Sequence, residues 1–262
     1  MSRLHLTFAC GSLALAGTLD TAPGHTGLLM ISGGNEVRSG AFSGQARLAA
    51  AVARAGFPVF RFDRRGVGDS EGENRGFRSS RRDIASALEA FRALAPDVER
   101  VIAFGNCDAA SALMLNGGDG FAGLVLSNPW TFEETEPSSQ SLPPAAAIRE
   151  RYAQKLSNPK EVKRLLSGGV SLRKLARGLV GSVTGARGAE GKLIEEMRVG
   201  LESFSGPVAI LLATADRTAQ QFEKDWDPSD ARIERCLGAS HAYVEPDQAE
   251  WLTARILHAL RL

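Results

Sequence analysis

Three residues far apart in the chain carry complementary chemistry: Cys107, Asp216 and His241. A thiol is a strong nucleophile only as its thiolate, and a free cysteine ionises near pH ~8.5, so at neutral pH it needs a base or a positive field beside it. An imidazole within hydrogen-bond reach can take the proton, and a carboxylate on the other ring nitrogen holds the tautomer. His241 ends the short stretch Gly238-Ala-Ser-His, and Asp216 ends the apolar run that starts at Pro207. The other histidines have weaker positions, since His5 lies in the first predicted strand, His25 in a Pro-Gly loop and His258 on the polar side of the last helix.

The local sequence around the thiol adds to this. Val101-Ile-Ala-Phe-Gly-Asn-Cys107-Asp-Ala-Ala-Ser-Ala reads as a strand, a sharp turn and an Ala-rich helix. Such a bend lifts the Cys107 side chain out of the turn, and it needs small neighbours at Gly105 and Ala109 because a larger side chain would collide where strand and helix cross. The helix amino terminus adds a partial positive charge that favours a thiolate. Taken alone, the segment also fits a packed thiol at a strand end. Asp108 would oppose ionisation if it faced the sulfur, and is expected to turn into helix capping or a buried hydrogen bond. Cys10 and Cys236 sit inside predicted strands and read as packed thiols.

Short apolar strands are predicted near residues 4–10, 13–20, 27–32, 58–63, 100–105 and 123–127, with helices over about 44–55, 78–95 and 108–116. Serines 79 and 80 are expected to cap the second helix, and residues 246–260 to form a closing helix. The apolar amino-terminal segment has the period of a strand pair turning at Gly11-Ser12 and not the uniform hydrophobicity of a secretion signal. Strands alternating with helices imply a mostly parallel sheet covered on both faces. Ligands bind at the carboxyl edge of such a sheet, where Asn35, Cys107, Asp216 and His241 all fall.

Between residues 131 and 205 this rhythm stops. Pro137, Pro143 and Pro144 break the first part and helical patterns dominate the rest. From Arg149 to Lys192 there are 11 Lys/Arg against 3 Asp/Glu, a net +8 that leaves −7 elsewhere. Over 172–183 Leu172, Leu175 and Leu179 share one helical face and Arg173, Lys174 and Arg177 the other. That pattern fits a helix burying its apolar face, or one touching anionic headgroups or a polyanionic glycan.

Taken together, these stretches resemble the α/β-hydrolase superfamily. Asp63-Arg-Arg-Gly66-Val-Gly68-Asp-Ser70-Glu-Gly72 is similar to the loop after that family's fourth strand, Gly27–Asn35 to its third strand and oxyanion loop, and Cys107, Asp216 and His241 follow its order of nucleophile, acid and base. The Gly33-Gly34, Arg38-Ser-Gly40 and Gly105-Asn-Cys-Asp-Ala-Ala110 stretches resemble the exosortase A system-associated hydrolases of exopolysaccharide-producing bacteria. The resemblance implies an eight-stranded, mostly parallel sheet flanked by helices, a core of residues 1–130 and 206–262, and a helical cap over 131–205. It also implies an oxyanion hole built from the backbone N–H groups of Asp108 and Asn35. The family's His-Gly pair is absent there.

With 262 residues, 44% of them hydrophobic and a net charge of +1, the chain fits one α/β domain carrying an insertion, and nothing in its overall charge calls for nucleic acid. Three cysteines make neither a disulfide framework nor a metal motif, which suggests a reducing compartment such as the cytoplasm. No phosphate loop, dinucleotide fingerprint or metal-ligand cluster is present, so no cofactor or metal is expected. The partner expected is a small acyl substrate, and the sequence leaves the oligomeric state open. Three functions share these features: hydrolysis of an ester, thioester or lactone through an acyl-enzyme, acyl transfer with the same triad, and a hydrolase-like scaffold kept for binding.

Overall fold

In a computed structural model, which describes residues 2–132 and 186–262, the chain forms one eight-stranded sheet. Its strands are β1 (Arg3–Cys10), β2 (Leu13–Asp20), β3 (Thr26–Ile31), β4 (Val59–Phe62), β5 (Arg100–Asn106), β6 (Gly123–Ser127), β7 (Val208–Ala213) and β8 (Ile233–Cys236). They lie in the order β1-β2-β4-β3-β5-β6-β7-β8. Only β2 runs against its neighbours, pairing antiparallel with β1 and β4, and the pairings from β4 across to β8 are parallel. The alternating amino-terminal pattern is therefore a hairpin, with Cys10 opposite Leu13 and Gly11 at φ 64° in the turn.

The described helices are α1 (Gly44–Arg54), α2 (Arg81–Leu94), α3 (Asp108–Leu115), α4 (Ala186–Glu202), α5 (Arg217–Asp225) and α6 (Pro246–Arg261). Alternation along the strands sends successive side chains to opposite faces. Leu28 and Met30 of β3 join Ile102 and Phe104 of β5 in a core cluster with Leu48 and Val52 of α1 and Leu252 and Ile256 of α6. The intervening positions face α2. A Cβ on Gly27 would come within 2.6 Å of the Phe91 ring, and Phe60 stacks on that ring at 5.7 Å. Both faces are thus sealed by helices, leaving the strand ends as the place for chemistry.

The start of α2 departs from expectation. Residues 77–79 form a 3-10 turn, and α2 begins only at Arg81, without a side-chain cap. The Ser80 hydroxyl instead donates to the Phe77 carbonyl at 2.6 Å, a local bond that competes with capping.

The chain divides into two compact units, Met1–Thr131 with Ile194–Leu262, and Phe132–Leu193. The second is described only at its ends, so most of the helical cap expected over 131–205, and the whole basic pattern at 172–183, lie outside the described residues. Among the described residues no helix is long and apolar enough to cross a membrane.

Candidate active site

β5 ends at Asn106 and α3 begins at Asp108, so Cys107 alone makes the turn between them. Its backbone sits at φ 62°, ψ −129°, a conformation that costs a non-glycine residue about 1–3 kcal/mol. Several bonds hold it there: the Cys107 N–H donates to the Ser127 carbonyl at 3.0 Å, and the Cys107 carbonyl accepts from Ala110 at 3.1 Å and Trp130 at 3.3 Å. Gly105 permits the bend, because a Cβ there would stand 2.8 Å from backbone atoms of Ala109 and Ala110. The thiol is half-buried, whereas Cys10 and Cys236 are buried, and all three are free.

Asp216 follows β7 and caps α5, accepting from the Ala219 N–H at 3.2 Å. The same carboxylate oxygen lies 2.8 Å from His241 Nδ1. The imidazole keeps 40% of its side-chain surface exposed. Burial pulls its pKa down, but the hydrogen bond to Asp216 and the hydrogen bond and charge of Cys107 outweigh that and push it up to about 10. The three residues singled out by their chemistry therefore meet at one strand edge, although Cys107 and His241 are 134 positions apart in the chain.

Two asparagines that sequence reasoning missed complete the arrangement. Asn106 Nδ2 lies 3.3 Å from His241 Nε2 and 3.4 Å from the His241 carbonyl. Asn128 is fully buried in the left-handed region at φ 45°, which asparagine tolerates better than most residues. Its amide donates to Asn106 Oδ1 at 3.0 Å and to the His241 carbonyl at 3.3 Å, and its own oxygen accepts from the Ala213 N–H at 2.8 Å. The readable signal was Ser127-Asn128-Pro129, a polar pair closing an apolar strand just before a proline. The Asn106 amide can donate to Nε2 only while the ring is neutral, whereas a bond from Nε2 to a thiolate needs the imidazolium. Asn106 and a Cys107 thiolate would thus favour opposite protonation states of one nitrogen.

Asp108 turns away into buried bonds. Its carboxylate accepts from the Gly34 N–H at 2.7 Å and pairs with Arg64 at 3.2 Å. The loop before it packs on the turn itself, since a Cβ on Gly33 would meet the Asn106 carbonyl at 2.5 Å and Cys107 Cβ at 3.0 Å. Asn35 is exposed and its side-chain oxygen accepts from Asn74 at 2.7 Å. The backbone N–H groups of Asn35 and Asp108 have no hydrogen-bond partner among the described residues. Asp63 and Asp69 serve a local network: Asp63 accepts from Arg38 and from the Asp69 N–H, and Arg38 also reaches Asp69 at 3.0 Å.

A cleft of about 300 Å³ opens between α1 and α6 and reaches His241 and Asn106. Leu48, Phe104, Tyr243 and Leu252 give it an apolar lining, with Arg54 and Glu250 exposed at its edge. No group of three or more residues suited to hold a metal ion occurs among the described residues.

The sequence model of the alpha/beta hydrolase family matches residues 28–255. No curated protein matches the chain. Among solved structures, DcsB in complex with its substrate analogue is 16% identical with a TM-score of 0.63, over 99% of both chains. The esterase Pf2001 of Pyrococcus furiosus is 14% identical with a TM-score of 0.62, over 99% of this chain and 92% of its own. A thioesterase domain from the curacin biosynthetic pathway is 15% identical with a TM-score of 0.57, over 98% of this chain and 100% of its own. At such identities the likeness speaks for the fold, while the family model leaves out β1 and β2 but spans the rest of the sheet from within β3 to β8, with Cys107, Asp216 and His241. The chain belongs to the alpha/beta hydrolase family.

Proposed function

We propose that this protein is a cysteine-dependent hydrolase that cleaves a small ester, thioester or lactone through an acyl-enzyme. The observation that carries the reading is the backbone of Cys107, held at a costly φ of 62° in the strand-to-helix turn, with a His241 ring that answers to both Asp216 and the thiol. Strain of this kind persists only where surrounding bonds impose it, and it concentrates at reactive sites. Esterase and thioesterase chemistry in proteins of the same fold is consistent with the reading.

In this scheme His241 takes the Cys107 proton, the sulfur attacks the carbonyl carbon, and the π pair moves onto oxygen beside the Asp108 and Asn35 N–H groups. The tetrahedral species collapses, expelling an alkoxide or thiolate that receives the proton from the imidazolium. Water then attacks the thioester with His241 as base, releasing the acid and restoring the thiol. Asp216 keeps the ring oriented and stabilises its charge. An acceptor alcohol in place of water would make the same site an acyltransferase, and the cleft reaching His241 could admit one.

The narrower resemblance supports a role beside exopolysaccharide or exosortase machinery, working from the cytoplasm, with the basic segment 149–192 meeting anionic headgroups or a glycan. The test of the catalytic reading is Cys107→Ala, which should abolish turnover of p-nitrophenyl acetate and short-chain thioesters in a folded protein. Iodoacetamide should label Cys107 well ahead of Cys10 and Cys236. Undiminished turnover in the variant would move the nucleophile elsewhere and favour the scaffold reading.

A further inference from the structure

The residue after the nucleophile is normally useful for its backbone N–H alone. Here its side chain is committed as well. The Asp108 carboxylate reaches a loop 74 positions earlier and accepts from the Gly34 N–H at 2.7 Å. Arg64 Nη2 donates to both carboxylate oxygens at 3.2 Å and to the Gly34 carbonyl at 2.6 Å. Gly34 is thus gripped at both ends, its N–H by an anion and its carbonyl by a cation.

We propose that Asp108, through its side chain, and Arg64 are positioning residues that aim the Asn35 N–H into the oxyanion hole, an inference that rests on Cys107 being the nucleophile. The physical link is the planar trans peptide, in which the Gly34 carbonyl and the Asn35 N–H share one plane and point in opposite directions. Fixing the carbonyl on Arg64 therefore fixes the direction of the donor. The Gly34 N–H, already taken by Asp108, is withdrawn from the hole, which leaves the Asn35 and Asp108 N–H groups as the pair. Gly34 adopts φ 55° with open space around its missing side chain, so glycine is required there for its backbone conformation and not for room.

Stability gives little reason for such a pair. Arg64 and Asp108 keep only 4% and 10% of their side-chain surfaces exposed, and Arg64 Nη1 is buried without a hydrogen-bond partner among the described residues. Removing two charges from water costs about as much as their attraction returns. A buried ion pair of this kind is better explained by the geometry it enforces. The nearby Ser32 hydroxyl is occupied with Gln45 at 3.0 Å. Asp108 exchanges no proton in this role: the sulfur–carbon bond forms, the carbonyl pair moves to oxygen, and the carboxylate only holds the loop.

Three readouts separate positioning from other effects: ester turnover, inhibition by an aldehyde such as butyraldehyde, and alkylation of Cys107 by iodoacetamide. The aldehyde forms a tetrahedral adduct that uses the hole, whereas alkylation displaces iodide at a saturated carbon and makes no oxyanion. Asp108→Ala should lower kcat by roughly 10- to 100-fold, the scale of a donor misplaced by about an ångström. KM should stay within about twofold, aldehyde inhibition should weaken in parallel, and alkylation should not slow. Asp108→Asn, whose amide oxygen still accepts from Gly34, should recover part of the loss, and Arg64→Met should behave like Asp108→Ala. The proposal is overturned if kcat is unchanged in Asp108→Ala, or if alkylation slows in step with turnover. Should Asp108→Ala not fold, Arg64→Met carries the test alone, with unchanged kcat as the overturning result. Turnover surviving in Cys107→Ala would instead remove the parent reading, an outcome independent of these variants.

Discussion

Two strand ends on the same edge of the sheet carry a cysteine, and they differ in almost everything else. At the end of β8, Cys236 is packed into the core cluster with α6, and burial, helped by the charge of Asp247, pushes its pKa up. At the end of β5, Cys107 lies half-exposed in a left-handed backbone with an imidazole beside it. Residue type and position in the sheet are shared, so neither marks out the proposed nucleophile. What differs is whether the chain continues past the strand in an ordinary conformation or is forced through a strained one that presents the sulfur to a base.

Under the proposed mechanism the contrast breaks most severely if His241 loses the carboxylate that orients it. Asp216→Asn should lower kcat by about 10⁴-fold, the scale seen when a triad carboxylate is neutralised, and should bring the His241 pKa down from about 10, since the hydrogen bond to that carboxylate is the largest single raising influence on it. Titration of the ring by NMR checks the second effect. The sign for stability follows: a raised histidine pKa contributes stability below the ring's ordinary value near ~6.5, and that contribution is lost as pH rises through about 10. Wild type should therefore lose more stability than Asp216→Asn between those limits, as read by denaturant titration at several pH values.

A smaller effect is expected from the turn itself. Gly105→Ala places a Cβ 2.8 Å from backbone that cannot yield cheaply, and overpacking of this kind costs about 1–3 kcal/mol. Thermal melting should show the loss, and iodoacetamide labelling of Cys107 should fall toward that of Cys236. Least of all, Cys236→Ala should cost about 1 kcal/mol for a small buried side chain and leave ester turnover unchanged, measured by melting and by steady-state kinetics.

Where the chain could be read in advance, the signal was local. The bend at Cys107 is written in consecutive residues, and the hairpin over residues 3–20 in simple alternation. Asp216 and His241 were readable because each closes or follows an apolar run. The second layer was not, for a physical reason: asparagine at a strand end reads only as punctuation, and nothing near Asn128 in sequence reveals that its partners are Asn106, Ala213 and His241. The destination of Asp108 was hidden in the same way, since Gly34 and Arg64 lie 74 and 44 positions away. Even the local serine at position 80 misled, because its hydroxyl chose the carbonyl three residues back over the helix it was expected to cap.

One enclosed amide ties the reactive edge to the scaffold. Asn128 touches the tip of β5, the last residue of β7 and the backbone of the histidine loop at once. Those three segments cannot drift apart without stripping a shielded polar group of its bonds, a loss of about 1–3 kcal/mol for each group left unsatisfied. The loop that carries His241 is thereby fastened to the sheet beneath it, and under the proposed mechanism any looseness needed to admit and release substrate must come from elsewhere in the molecule.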